Sequence, residues 1–390
     1  MSRTIIRNAH VISPDLNLAG ATVVIERGKI KTVSAEEVKP GAKDEIIDAK
    51  GSLLVPGFID VHMHGACSFD VCDAKEKGKR APNPIEKIAE AKLAEGCTSF
   101  LPTTLTVARK TLMAVAKNVA AYRADEKYAK VIGIHLEGPY INVKCCGAQN
   151  PSFVRKPDIK EVLAISAVSP VRMISYAPET PGGAEFAKEC IRNGIVPSCG
   201  HTGAKLADLM PAYKNGLRHM THFCNQMTPL HHREIGMVGA GFLVKDLNTE
   251  VICDKIHLCP DMLRLVFAVR DINHIQMITD SLRCSHMADN YGFEMGGLKV
   301  LLKNGEARLV EGGNLAGSTL WMNYGLKNLR EVTGLPLEQL IKVTSWNQAR
   351  ELGLGRKLGK VEKGFIADLA LLDPRSYDVQ AVFVNGQRRI

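Results

Sequence analysis

Pro56-Gly57-Phe58-Ile59-Asp60-Val61-His62-Met63-His64 decides the fold: an apolar run that ends abruptly in two histidines set two apart. Leu53 to His62 reads as one buried strand. Downstream, Asn83-Pro84 supplies a cap and a first-turn proline, Ile85, Ile88, Ala89 and Leu93 recur at helical spacing, and Gly96 stops the helix. The alternation then repeats. Strands are predicted at Thr98–Thr104, Val131–Leu136, Val171–Tyr176, Ile195–Gly200, Leu217–Thr221, Thr249–Cys253 and Ile275–Thr279, with helical patterns between most of them. Eight such units specify a parallel α/β architecture closed into a (β/α)8 TIM-like barrel, whose chemistry belongs at the carboxyl ends of the strands.

The two ends of the chain have a different texture. Thr4 to Val11 and Ala21 to Val33 are short apolar runs broken by Gly20 and Gly28, and Glu45-Ile46-Ile47-Asp48 follows before Gly51. Ala367 to Leu372 and Val379 to Val384, closed by Asn385-Gly386, repeat the pattern at the tail. The expected organisation is a small β-sandwich domain formed by both termini, residues 1–53 and 357–390, around a catalytic barrel of residues 54–356.

Composition narrows the function. The chain has 390 residues, 45% hydrophobic and 23% charged, which excludes disorder, collagen-like repeats and coiled coil as the main architecture. The net charge of +9 is spread along the chain, and the one dense run, Lys75 to Arg80, reads as a solvated loop. Aromatics are 5% and are not interleaved with basic residues, so a nucleic-acid surface has no support. Met1 to Arg7 lacks the apolar core of a signal peptide, no run approaches the ~18 apolar residues of a membrane span, and a cytosolic protein is expected. The eleven cysteines are odd in number, form no Cys-x-x-Cys pair and include the adjacent Cys145 and Cys146, which argues against a disulfide framework or a zinc ribbon.

The polar residues that end the strands carry the chemistry. His62 and His64, two apart on an extended strand, point the same way. Glu137 ends the third strand, His201 the fifth, His222 the sixth and Asp280 the eighth, all at one edge of the barrel. Several imidazoles with one carboxylate suit a divalent zinc, iron or manganese ion that keeps an open position for water. Asp280 is then the proton carrier, general base and afterwards general acid.

These residues lie in longer motifs: Pro56 to Gly65, His135 to Asn142, Gly200 to Ala204, Thr221 to Gly241, Thr279-Asp280, Gly313 to Ser318 and Gly364 to Leu369. With them the sequence resembles the N-acetylglucosamine-6-phosphate deacetylase family of the amidohydrolase superfamily, most specifically over His222 to Glu234. The resemblance implies hydrolysis of the acetamide of a small phosphorylated amino sugar, with release of acetate. It further implies a main metal held by Glu137, His201 and His222, a second ion at His62 and His64 in members that keep that pair, and Asp280 as proton shuttle. Phosphate contacts fall on Asn225, Gln226, Arg233 and His257, and sugar contacts on Ala148, Asp254, His257, Leu315, Ala316 and Gly317. A homodimer or higher homo-oligomer is the family expectation.

Departures from the family pattern cluster in the pocket. Gln226 stands for a small alanine, Cys253-Asp254-Lys255 for Ala-Asp-Gly, and Gln149 for a histidine that touches the sugar. Two other readings therefore stay open: a deacetylase of another N-acyl substrate, such as N-acetylgalactosamine 6-phosphate or an N-acyl amino acid, and a non-catalytic binding protein on the same fold. His231 and His232 read as loop-packing or rim residues. His10, His135, His219, His274 and His286 receive no role from their placement.

Overall fold

The computed structural model describes residues 3–73 and 82–390, so the Lys75 to Arg80 run lies outside the described residues. Thr4–Ser13 pairs antiparallel with Leu16–Glu26 and parallel with Glu45–Asp48 and Leu53–Pro56. Leu53–Pro56 in turn pairs antiparallel with Leu369–Leu372, which carries Val379–Val384 and Gln387–Arg388. Both chain ends thus share one eight-stranded sheet with its own core of Ile6, Val23, Leu54, Leu369 and Phe383.

The strand expected from Leu53 to His62 is two strands. Leu53–Pro56 belongs to the terminal sheet and Phe58–Met63 to the barrel. The break falls at Gly57, whose N–H bonds the Asp368 carbonyl at 2.9 Å. A Cβ there would meet the Thr98 side chain at 2.2 Å, so only glycine fits. The period-2 geometry of Leu53–Pro56 gives it two masters: Leu54 enters the small core, while Leu53 and Val55 enter the barrel core.

Eight parallel strands follow in chain order around the barrel: Phe58–Met63, Cys97–Thr104, Ile134–Glu137, Val171–Tyr176, Val196–Cys199, His219–Met220, Asn248–Ile252 and Ile275–Ile278. The last meets the first through Asp280 N–H to His62 O at 2.9 Å and Thr279 Oγ1 to Asp60 at 2.6 Å. Between them run helices such as Pro84–Leu93, where the Asn83 side chain accepts from Ile85 N–H and Ile85, Ile88, Ala89 and Leu93 are buried. Among the described residues no helix is long and apolar enough to cross a membrane.

One element departs from the sequence expectation. Gly292–Met295, Leu298–Lys303 and Glu306–Leu309 form a three-stranded antiparallel sheet after the last barrel strand. In its central strand Val300 and Leu302 are buried while Lys299, Leu301 and Lys303 face solvent.

Candidate active site

Each strand end turns sharply. His201, His222 and Asp280 sit at φ values of 47°, 28° and 51°, in the left-handed region that costs non-glycine residues on the order of 1–3 kcal/mol each. Such turns directly after strands aim these side chains at one point over the barrel. His62, His64, Glu137, His201, His222 and Asp280 are all buried there.

Their hydrogen bonds fix which nitrogen faces inward. His62 Nδ1 lies 2.9 Å from Glu250 Oε2, His64 Nδ1 3.1 Å from the Thr103 carbonyl, and His201 Nδ1 2.9 Å from the Cys145 carbonyl. Those oxygens can only accept, so each Nδ1 carries a proton and each Nε2 presents a lone pair. The Nε2 atoms converge. His62 and His64 Nε2 are 3.3 Å apart, and His201 and His222 Nε2 are 3.0 Å apart and each 3.0 Å from Glu137 Oε1. His64 Nε2 is 3.3 Å from Glu137 Oε2 and 3.2 Å from Asp280 Oδ1.

Lone pairs gathered so closely repel unless something positive lies among them. Protons can serve: burial lowers the His222 pKa, but hydrogen bonding and charge from Glu137 more than offset this and hold it at about 9. His64 is likewise desolvated yet lifted well above its ordinary value by Asp280 and Glu137. Burial pushes the Glu137 carboxyl up, while the neighbouring imidazoles, His201 foremost, bring it far below the usual range. A divalent cation serves better, and the donors fit one in two groups, His62-His64-Glu137 and Glu137-His201-His222.

The cluster forms one end of a cavity of about 330 Å³. Of the substrate residues expected from sequence, Ala148, Asn225, Gln226, His257, Leu315 and Gly317 line it. Three do not. Asp254 lies behind His257, accepting from its Nδ1 at 2.6 Å, and Ala316 is buried with its N–H on the Ala307 carbonyl. Arg233 is exposed, its guanidinium 2.8 Å from His232 Nε2. Position 317 requires glycine, because a Cβ there would meet the Asp280 carbonyl oxygen at 2.6 Å. Lys255 extends away to Glu331 at 2.6 Å, so this departure leaves the lining unchanged.

Other groups enter that the sequence reading left without a role. Arg308, from the three-stranded sheet, lines the cavity and holds the Gly313 carbonyl at 2.9 Å. Gln149 is buried in the site, donating from Nε2 to Glu137 Oε2 and accepting from Thr106 N–H at 2.7 Å. His135 is a packing histidine: Nδ1 bonds the Val61 carbonyl, Nε2 bonds Ser175, and burial, with the charge of His62, lowers its pKa to about 3. Glu250 touches His62, His219 and the His222 backbone. The signal for Glu250 was a carboxylate in the middle of a short barrel strand, where burial obliges a charge to have partners.

The chain matches the model of the Amidohydrolase family over residues 53–389. It is 33% identical to an N-acetylglucosamine-6-phosphate deacetylase of Lysinibacillus sphaericus, over 95% of this chain and 93% of that one. It is also 33% identical to an N-acetylgalactosamine-6-phosphate deacetylase of Escherichia coli O157:H7, over 88% of this chain and 89% of the other. The crystal structure of N-acetylglucosamine-6-phosphate deacetylase from Thermotoga maritima superposes with a TM-score of 0.87 at 34% identity, covering 98% of this chain and 99% of that one.

Proposed function

The chain belongs to the amidohydrolase family, and from that premise we propose that it hydrolyses the acetamide of N-acetylglucosamine 6-phosphate to glucosamine 6-phosphate and acetate. The observation that carries this reading is the gathering of four imidazoles around Glu137, with Asp280 beside them, at one end of a monosaccharide-sized cavity.

In this reading Glu137, His201 and His222 hold the main ion, and His62 with His64 provides a second position, so one or two ions bind per chain. Zinc matches this mixture of imidazole and carboxylate. When bound, the ion supplies positive charge that polarises the amide carbonyl and acidifies water. Asp280 moves the protons. Burial raises its pKa, but the His64 hydrogen bond and the His62 charge outweigh this and keep it below the ordinary value, so its carboxylate is ionised and ready to accept. It takes a proton from the attacking water and passes it to the departing sugar nitrogen.

The cavity lining also suits an anion. Arg308 contributes a guanidinium, and His257, held through Nδ1 by Asp254, keeps its other nitrogen for a ligand. Asn225 and Gln226 add amide groups to the same lining. The cysteines stand as free thiols, which suits the cytosol.

A second reading, the galacto epimer as substrate, is favoured by the equal identity to the Escherichia coli relative and by Gln149 and Gln226 in the lining. The test is kcat/KM for acetate release from N-acetylglucosamine 6-phosphate, N-acetylgalactosamine 6-phosphate and unphosphorylated N-acetylglucosamine. Preference for the gluco phosphate is expected. Preference for the galacto phosphate moves the assignment to the epimer, and equal rates on the unphosphorylated sugar contradict both.

A further inference from the structure

Glu250 lies in the strand Asn248–Ile252, on the barrel interior, fully buried and outside the cavity lining. Among the described residues its carboxylate makes three hydrogen bonds. Oε2 accepts from His62 Nδ1 at 2.9 Å and from the His222 backbone N–H at 3.0 Å, and Oε1 bonds His219 Nε2 at 3.1 Å. His219 Nδ1 continues to Glu351 Oε2 at 2.9 Å, and Glu351 is held by Asn248 Nδ2 at 2.7 Å and Gln276 Nε2 at 2.6 Å. A chain of hydrogen bonds therefore runs from His62 down to the helix Asn347–Glu351.

We infer that Glu250 is the positioning residue of the metal centre: it fixes the His62 tautomer and ring orientation, and through the His222 backbone it ties that histidine to the other ion position. The assignment rests on the metal-dependent reading above. A carboxylate accepting from Nδ1–H leaves Nε2 as the donor atom and makes it a stronger base, and losing such a partner costs ~10–100-fold in metal affinity. His62, His135 and Glu250 also stand close enough to hold an ion themselves. Their atoms are already committed, because His135 bonds Val61 and Ser175 while both Glu250 oxygens accept hydrogen bonds. Support is the work left for Glu250. Glu351 provides the contrast, being a partly buried carboxylate of the same hydrogen-bond chain that touches neither His62 nor His222.

The experiment is competitive chelator titration of the full-length protein with Zn²⁺, and with Co²⁺ for its visible spectrum, comparing wild type, Glu250→Gln and Glu351→Gln. Glu250→Gln should weaken the ion at His62 and His64 by ~10–100-fold and change the Co²⁺ spectrum, whereas Glu351→Gln should stay within about threefold of wild type. Unchanged affinity in Glu250→Gln, or an equal loss in both variants, overturns the assignment. Should Glu250→Gln fail to fold, ¹⁵N-histidine spectra of the zinc-loaded wild type decide. A proton on His62 Nδ1 supports the inference, and coordination through Nδ1 refutes it. A wild type that binds neither ion and still hydrolyses its substrate would overturn the metal-dependent reading itself, and this assignment with it.

Discussion

Asp280→Asn separates proton transfer from everything else in the site. The side chain keeps its shape, and the backbone is pinned on both sides by Asp280 N–H to His62 O at 2.9 Å and Ser318 N–H to Asp280 O at 2.8 Å. Asparagine also tolerates the φ of 51° better than most residues, so the turn should survive. What disappears is a carboxylate oxygen 3.2 Å from His64 Nε2 and 3.6 Å from His62 Nε2. An amide cannot carry the proton from water to nitrogen. Positioned acid–base groups contribute about 10²–10⁴ in rate, so kcat should fall by that factor, about 3–5 kcal/mol in barrier height. KM should change by less than about threefold, because Arg308 and His257, the groups proposed to take the phosphate, are untouched. The assay is steady-state acetate release together with metal content by elemental analysis. A variant that retains its metal and a kcat within tenfold of wild type refutes the proton-shuttle role.

Metal binding should release about one to two protons at neutral pH, since the ion displaces those held on His222 and His64, and affinity should rise with pH; calorimetry in buffers of different ionisation enthalpy measures this. The same raised His222 pKa contributes stability to the metal-free protein that is full below about 6.5 and lost as pH rises through about 9, so its melting temperature should fall over that window while the zinc-loaded protein holds. Arg308→Ala should cut kcat/KM for the phosphorylated sugar by about 10–100-fold, the worth of one charge-assisted hydrogen bond, and leave the unphosphorylated sugar unaffected. Lys92 is fully buried between Asp60 at 2.9 Å and Glu95 at 2.5 Å; Lys92→Met should cost about 3–5 kcal/mol in denaturant titration, because it removes the cation the two buried carboxylates share and leaves Asp60 with the Thr279 and His62 donors and Glu95 with His286 and the Met322 N–H.

The barrel was legible because short strand-like runs alternate with helical patterns along most of the chain, and five of the eight strands run into a histidine, glutamate or aspartate. The six residues that end those strands announced themselves by breaking the runs, and the structure brings all six together. Other features were hidden for physical reasons. Leu53 to His62 hides the seam between two cores, since Gly57 interrupts the pairing without interrupting the apolar pattern. The three-stranded sheet that brings Arg308 to the cavity left only a weak trace, the Asn304-Gly305 turn between short runs, one of which alternates only partly because Leu301 faces solvent. Arg233 belongs to a matching motif, yet motif membership places a residue near a strand end and does not say where a long side chain points. His219 had no sequence signal of its own. Its role follows from Glu250 and Glu351 on either side, whose charge and hydrogen bonds outweigh burial and hold its pKa at about 10.

The most direct test of a metal-dependent amidohydrolase acting on an amino-sugar phosphate is one titration. Purified protein is stripped with chelator, assayed for acetate and free amine released from N-acetylglucosamine 6-phosphate, then reloaded stepwise with Zn²⁺ and assayed again. Activity that vanishes on stripping, returns in proportion to the zinc bound and yields acetate and amine in equal amounts is the predicted result. Full activity in the stripped protein, or none after it has taken up its zinc, would contradict the account.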